Sequence, residues 1–274
     1  MIITGGQKLT KKILIIGDMH VGSNVALMPE EVYTLKTEKE NSQLVKASKI
    51  QLKILDKWRE MVDNEGKFDA VIANGDLIDG VNRKSSGIGA WTTDLSVQLK
   101  TAQSLLGEIH YKKLYGTQGS IYHTNENISV DKLVIEGLGG TFGYDLSIKS
   151  DDVKIHASHK IGISSSTWQF RATPISKELV LSELNGADFE KFNVIVRSHA
   201  HYYVAVQFGR SLGLIAPCWK ARDEFVRMLG LGFNPSIGYI VLETSGSSYT
   251  WRHSIMHLKG EDAMHTYNVS IEDL

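Results

Sequence analysis

The stretch Lys12-Ile13-Leu14-Ile15-Ile16-Gly17-Asp18-Met19-His20 decides how this chain is read. Five residues, four of them branched and apolar, are too short for a helix and have the texture of a strand buried on both faces. The run stops at a glycine, and a carboxylate and an imidazole follow two residues apart. The same grammar recurs three times. Phe68-Asp69-Ala70-Val71-Ile72-Ala73 precedes Asn74-Gly75-Asp76-Leu77-Ile78-Asp79. Val153-Lys154-Ile155-His156-Ala157 precedes Ser158-His159. Asn193-Val194-Ile195-Val196-Arg197 precedes Ser198-His199-Ala200-His201. Polar residues just past strand ends are where open α/β sheets place their sites. Oxygen and nitrogen ligands from Asp18, His20, Asp76, Asp79, His159, His199 and His201 suggest one centre for two metal ions. Asp76 could bridge them with its two oxygens. If the backbone stays extended, Asp18 and His20 point the same way, as do His199 and His201. Such mixed donors favour Mn²⁺, Fe, Co²⁺ or Zn²⁺ over Ca²⁺ or Mg²⁺.

Between these segments the first half alternates strands with helices. Leu44, Ala47, Ile50, Ile54, Leu55, Trp58 and Met61 recur at helical intervals, which predicts a helix over residues 44–62. Residues 95–109 predict a second helix capped by Asp94. Residues 128–137 and 176–185 predict two more. Residues 23–42 show no strong period and read as a loop or lid, and the lysines of residues 36–53 as a solvated helix face. The second half is mostly strands. One α/β domain over residues 1–274 with two packed sheets fits best, with a boundary near residue 140 as the alternative.

Composition excludes several classes. Net charge is −1, which argues against a broad duplex-binding surface, since phosphate tracking needs several Lys or Arg contacts. Cys218 is the single cysteine, so an internal disulfide framework and a thiolate cluster are ruled out. No stretch approaches the roughly 20 apolar residues that span a bilayer, and no signal-type run opens the chain. A cytoplasmic protein is expected, in the host cytoplasm if phage-encoded. The setting of Cys218 between Pro217 and Trp219 reads as a buried, inert thiol, and Trp219 and Trp168 read as packing residues.

The blocks Gly17-Asp18-Met19-His20, Gly75-Asp76-Leu77-Ile78-Asp79 and His199-Ala200-His201 resemble, in order, the Asp-x-His, Gly-Asp-x-x-Asp and Gly-His-x-His blocks of the calcineurin-like metallophosphoesterases. His159 falls where that family places a lone histidine. Val196-Arg197-Ser198-His199 and Ala216-Pro217-Cys218-Trp219 also resemble a phage and prophage branch. The resemblance implies a four-layer αββα sandwich of two mixed sheets flanked by helices, with the last strands in the second sheet. It implies one metal held by Asp18, His20, Asp76 and His201, and another by Asp76, His159, His199 and a residue from a third block. Asp79 takes a supporting role. Manganese is foremost among the ions implied, with Fe, Zn, Co, Ni or Mg as alternatives.

The third family block, Gly-Asn-His-Asp/Glu, is not intact here. Lys113-Leu114-Tyr115 is followed by Gly116-Thr117-Gln118-Gly119-Ser120-Ile121-Tyr122-His123. Gln118, or Thr117, is the nearest substitute for the asparagine ligand, Asn125 a further candidate, and His123 the candidate catalytic histidine. Ser198 stands for the glycine of the last block. Lys160, Arg83 and Arg171 could meet a phosphate. The implied activity is hydrolysis of a phosphoester by metal-bound hydroxide, with His123 protonating the leaving oxygen. A phosphodiesterase acting on a nucleotide or nucleic acid is expected. The alternatives are a DNA nuclease or exonuclease of the same fold and a non-catalytic binding scaffold. No membrane partner is expected.

Overall fold

Strand β1 (Lys11–Ile16) lies within a six-stranded sheet, and its backbone is hydrogen-bonded on both sides. The computed structural model describes residues 9–36, 40–81, 87–123, 129–162, 168–184, 191–223 and 234–258. Ile13 and Ile15 of β1 face one core, while Leu14 and Ile16 face another. Burial of both faces is the reason the run is continuously apolar rather than alternating.

Strands β2 (Glu31–Lys36) and β3 (Glu40–Lys46) pair antiparallel in a sheet of their own, and helix α1 (Lys49–Glu65) follows. Here the structure differs from the expected loop over residues 23–42, helix from residue 44 and lysine-bearing helix face over residues 36–53. Leu44 matches a helical spacing, but it and its neighbour Val45 pair with Tyr33 and Val32 across the hairpin. The helix starts only where Ser48 can cap it. Its hydroxyl accepts from the Gln51 N–H, and the Gln51 side chain accepts from the Ser48 N–H.

Strand β4 (Phe68–Ala73) runs parallel to β1. Helix α2 (Leu95–Gly107) follows, capped by Asp94 as expected, and then strand β5 (Tyr111–Thr117), parallel to β4. Helix α3 (Val130–Gly137) and strand β6 (Thr141–Gly143) complete that flank. Strands β7 (Asp145–Ser150) and β8 (Val153–Ser158) form the expected hairpin. Helix α4 (Thr173–Leu184) leads to strands β9 (Val194–Arg197), β10 (Val204–Phe208) and β11 (Ser211–Ile215). Strands β12 (Ser236–Ser245) and β13 (Ser248–His257) are the last described.

The first sheet has the order β13-β12-β1-β4-β5-β6 and the second β10-β11-β9-β8-β7. The β12–β13 hairpin therefore belongs to the first sheet, not the second as expected. β12 lies antiparallel to β1, with Ile13 opposite Leu242 and Ile15 opposite Ile240. The physical reason is that a buried strand must satisfy its backbone on both edges. β4 covers one edge of β1, and β12 the other.

Ile13, Ile15 and Ile72 meet Ile155, Val194, Val196 and Leu214 between the two sheets. Outside the first sheet, Trp58 and Leu105 join Leu14, Ile16, Val71 and Val134. Outside the second, Ile175 and Leu179 of α4 pack with Ile195 and Ile215. These three cores make four layers, helix, sheet, sheet, helix. Among the described residues no helix is long and apolar enough to cross a membrane.

β1, β4 and β5 are parallel, and so are β8, β9 and β11. Their carboxyl ends deliver Asp18, Asp76, Ser120, His159 and His199.

Candidate metal centre

Asn74 joins the strand ends. Its side-chain amide donates to the Ser158 carbonyl at 3.0 Å and to Ser198 Oγ at 2.8 Å, and its side-chain oxygen accepts from Thr117 Oγ1 at 2.9 Å. One fully buried residue thus links β4, β5, β8 and β9. A β-carbon at Gly17 would stand 2.6 Å from Ser198 Oγ, so the glycine at the end of β1 leaves room for a serine beyond β9.

Across this joint the candidate ligands meet. Asp18, His20, Asp76 and His159 are buried, and His201 is partly open. His20 Nε2 lies 3.1 Å from His201 Nε2. Asp18 Oδ1 is 3.3 Å from His201 Nε2, 3.8 Å from His20 Nε2 and 3.9 Å from His159 Nε2. Asp76 Oδ2 is 3.0 Å from His159 Nε2. The rings of His159 and His199 lie 5.2 Å apart, and the His199 N–H donates to Asp18 Oδ2. Asp18, His20 and His201 form one group that could hold a metal, and Asp76, His159 and His199 another.

The backbone there is not the extended one assumed from the two-residue spacing. Asp18, His20, Asp76, His199 and His201 all have φ between 46° and 70°. Left-handed turns, which L-residues adopt at a cost, swing the side chains together.

Hydrogen-bond partners fix the imidazole tautomers. His159 Nδ1 meets the Asn74 carbonyl at 2.8 Å, and His123 Nδ1 meets the Asp79 carbonyl at 2.6 Å. A carbonyl only accepts, so both Nδ1 atoms carry the proton. His20 Nδ1 lies 3.0 Å from Asp79 Oδ1. Burial would raise the Asp79 carboxyl, but Lys220 and His20 hold it well below the usual range, so it too accepts. Nε2 of His20 and His159 is left facing the centre. Asp18 Oδ1 is buried with no hydrogen-bond partner, and His159 Nε2, bare in this tautomer, faces the Asp76 carboxylate at 3.0 Å. Electron-rich atoms converging on one buried space need protons or cations between them. The donor set of carboxylates and imidazoles fits divalent metal ions.

Charge follows the same arrangement. Burial opposes ionisation of Asp18, but His201 and His159 outweigh it and keep that carboxyl far below its ordinary pKa. Asp76 is lowered likewise, chiefly by His159 and His123. His20 is depressed by burial and by Lys220, yet Asp18, Asp79 and Asp76 leave it raised to about 8.

His123 reaches the centre in spite of its longer loop. Its ring lies 4.6 Å from that of His20, and its Nε2 is 3.9 Å from Asp76 Oδ2. Gln118 is placed differently. Its side-chain nitrogen lies 3.4 Å from the Gly119 carbonyl, and the Thr117 hydroxyl is turned to Asn74. Ser120 is the third-segment residue whose side chain meets Asp76. Asp79 lies behind His20, its Oδ1 against the Nδ1 that points away from the centre. Cys218 is buried, with burial pushing its thiol far up, and Trp219 packs edge-on against Trp58. Lys160 is exposed and Arg171 lies over the Tyr202 ring. Arg83 and Asn125 fall outside the described residues, as does the side chain of Trp168.

Four residues escaped the sequence reading: Asn74, Ser120, Asp131 and Lys220. Asn74 precedes the motif glycine Gly75 and Ser120 lies in the altered third segment, a weak signal. Asp131 and Lys220 carry none, because a charged residue in sequence is normally solvated.

No protein-family model matches this chain, and no curated protein does. Solved structures resemble it at low identity. Vps29 from Entamoeba histolytica complexed with Zn²⁺ is 15% identical over 90% of this chain and 98% of its own, with a TM-score of 0.47. A predicted phosphoesterase from Streptococcus pneumoniae is 13% identical over 90% of each chain, with a TM-score of 0.41. An archaeal phosphodiesterase is 13% identical over 89% of this chain and 99% of its own, with a TM-score of 0.43. At such identities and scores, function rests on the chain's own residues.

Proposed function

We propose that this chain is a phosphoester hydrolase working with two divalent ions. The observation behind it is the convergence of two donor groups, Asp18–His20–His201 and Asp76–His159–His199, around buried ligand atoms that lack partners. Asp76 stands between the groups and is the bridging candidate. Ions bound there would offset charge on the phosphoryl oxygens and acidify a coordinated water, with manganese the first to test.

The protein's own residues supply the rest. Asp79 and Asn74 orient His20 and His159 and fix their tautomers. Burial of Asp18, His20, Asp76 and His159 limits the screening of their charges by bulk water. His123, anchored through Nδ1, presents Nε2 to the same space and passes a proton from it to the leaving oxygen. Burial lowers its pKa, so Nε2 must first take up a proton before passing it to the leaving oxygen. A singly charged phosphodiester, of a nucleotide or nucleic acid, suits this centre better than a doubly charged monoester. Among the described residues, the buried cation at this centre, Lys220, is already paired with Asp79 and Asp223, each at 3.0 Å. The catalytic domain comprises the whole of residues 1–274.

Elemental analysis combined with hydrolysis of bis-p-nitrophenyl phosphate in Mn²⁺ tests the assignment. Two ions per chain are expected, with turnover falling at least about 100-fold in Asp76→Ala. Absence of metal and of turnover across divalent ions would overturn it. Two ions without turnover of mono- or diesters would instead favour a binding scaffold. Cleavage of DNA alone, with mononucleotide diesters untouched, would favour a nuclease.

A further inference from the structure

The Asp76–His159–His199 group offers three protein donors, one fewer than the roughly four a closed divalent site uses. Asp131, at the start of α3, holds in place the segment that supplies a further oxygen. This buried carboxylate accepts from the N–H groups of Asp76 at 3.2 Å, Leu77 at 3.0 Å and Gly119 at 2.9 Å. It thereby clamps the segment after β5 onto the segment after β4. The clamp closes because residue 119 has no side chain. A β-carbon there would lie 2.2 Å from Asp76 Oδ1 and 2.7 Å from Asp131 Oδ2. Ser120 is consequently pressed against Asp76. Its N–H donates to Oδ1 at 2.6 Å, and its Oγ is 3.1 Å from Oδ1 and 2.9 Å from Oδ2. Oδ2 is the same oxygen that faces His159 Nε2 at 3.0 Å.

We propose that Ser120 Oγ is a fourth protein donor to the ion held by Asp76, His159 and His199, and that this ion is the more loosely bound of the two. A neutral hydroxyl is a weaker donor than a carboxylate or imidazole, so the two ions bind in separate steps. The role of Ser120 rests on the two-ion assignment above.

Calorimetric titration of metal-free protein with Mn²⁺ reads the two steps directly. Ser120→Ala is expected to weaken the looser step about tenfold or more and to leave the tighter within about twofold. Ser120→Cys provides a second measurement independent of affinity. A thiolate donor favours softer ions and gives bound Co²⁺ a sulfur charge-transfer band in the near ultraviolet, absent from the wild type with its buried Cys218. Unchanged affinities in Ser120→Ala together with no such band in Ser120→Cys would overturn the role of Ser120 alone. If Ser120→Ala fails to fold, the Co²⁺ spectrum of Ser120→Cys decides. A wild type that binds no ion would remove the two-ion assignment as well.

Discussion

At the scale of single residues, strain and buried charge are concentrated where the strand ends meet. Among the described residues other than glycine, six have positive φ, and five of them are candidate ligands. Each costs on the order of 1–3 kcal/mol, which the surrounding hydrogen bonds and packing must over-determine. Lys220 is a further example. Its ammonium is buried, and although burial disfavours the charge, Asp79 and Asp223 push its pKa above the ordinary lysine value. Lys220 and His20 share Asp79 Oδ1, so the lysine fixes the carboxylate that fixes the imidazole. Lys220→Met is expected to destabilise the metal-free protein by about 3–5 kcal/mol, because it leaves Asp79 buried with a poorer set of partners. Urea denaturation measures this, and a loss below about 1 kcal/mol would show that Asp79 holds its charge without the lysine.

At the scale of elements, caps and ion pairs decide where helices begin and how they dock. Periodicity alone extended α1 back to residue 44, because Leu44 and Ala47 fit a helical spacing. The Ser48–Gln51 capping box and the pairing of β3 with β2 stop it at Lys49. At its other end, Glu65 joins α1 to the first sheet through Arg252 of β13, Tyr239 of β12 and Lys12 of β1. Arg252 chiefly, against burial and aided by Lys12, lowers the Glu65 pKa to about 2. An acid with a depressed folded pKa stabilises the fold above its unfolded value of about 4.3. That contribution is lost as pH falls through about 2. Glu65→Gln should therefore cost on the order of 1 kcal/mol at pH 7. The difference from wild type should vanish near pH 2. Paired denaturation curves across that window check it, and a gap that persists at the acid end would assign the effect to packing rather than charge.

At the scale of the whole molecule, two sheets converge their carboxyl ends on one centre, and stability should depend on what occupies it. Ligands that bind only the folded state stabilise it by mass action, by about 2.7 kcal/mol at 100 times the dissociation constant. Mn²⁺ at that excess is expected to raise the thermal midpoint, and chelation to lower it. A midpoint indifferent to both would remove the metal reading. The four-layer arrangement could be anticipated from the strand runs and the motif resemblance, but not the placement of β12 and β13 beside β1. Strand order is chosen by which edge is left unsatisfied, and no local pattern records that.

The sequence by itself determined the buried strands, because a run such as Ile13-Leu14-Ile15-Ile16 is stable only when covered on both faces. It also determined which residue types gather past those strands, since Asp18, His20, Asp76, His159, His199 and His201 stand at the same kind of boundary. Only the tertiary structure decided how they face one another. Left-handed turns, the Asn74 joint and the Asp131 clamp depend on partners up to 181 residues apart in the chain. It also decided that Ser120 rather than Gln118 lies against Asp76, because that contact depends on the missing side chain of Gly119 and on a carboxylate from a helix whose sequence carries no metal motif.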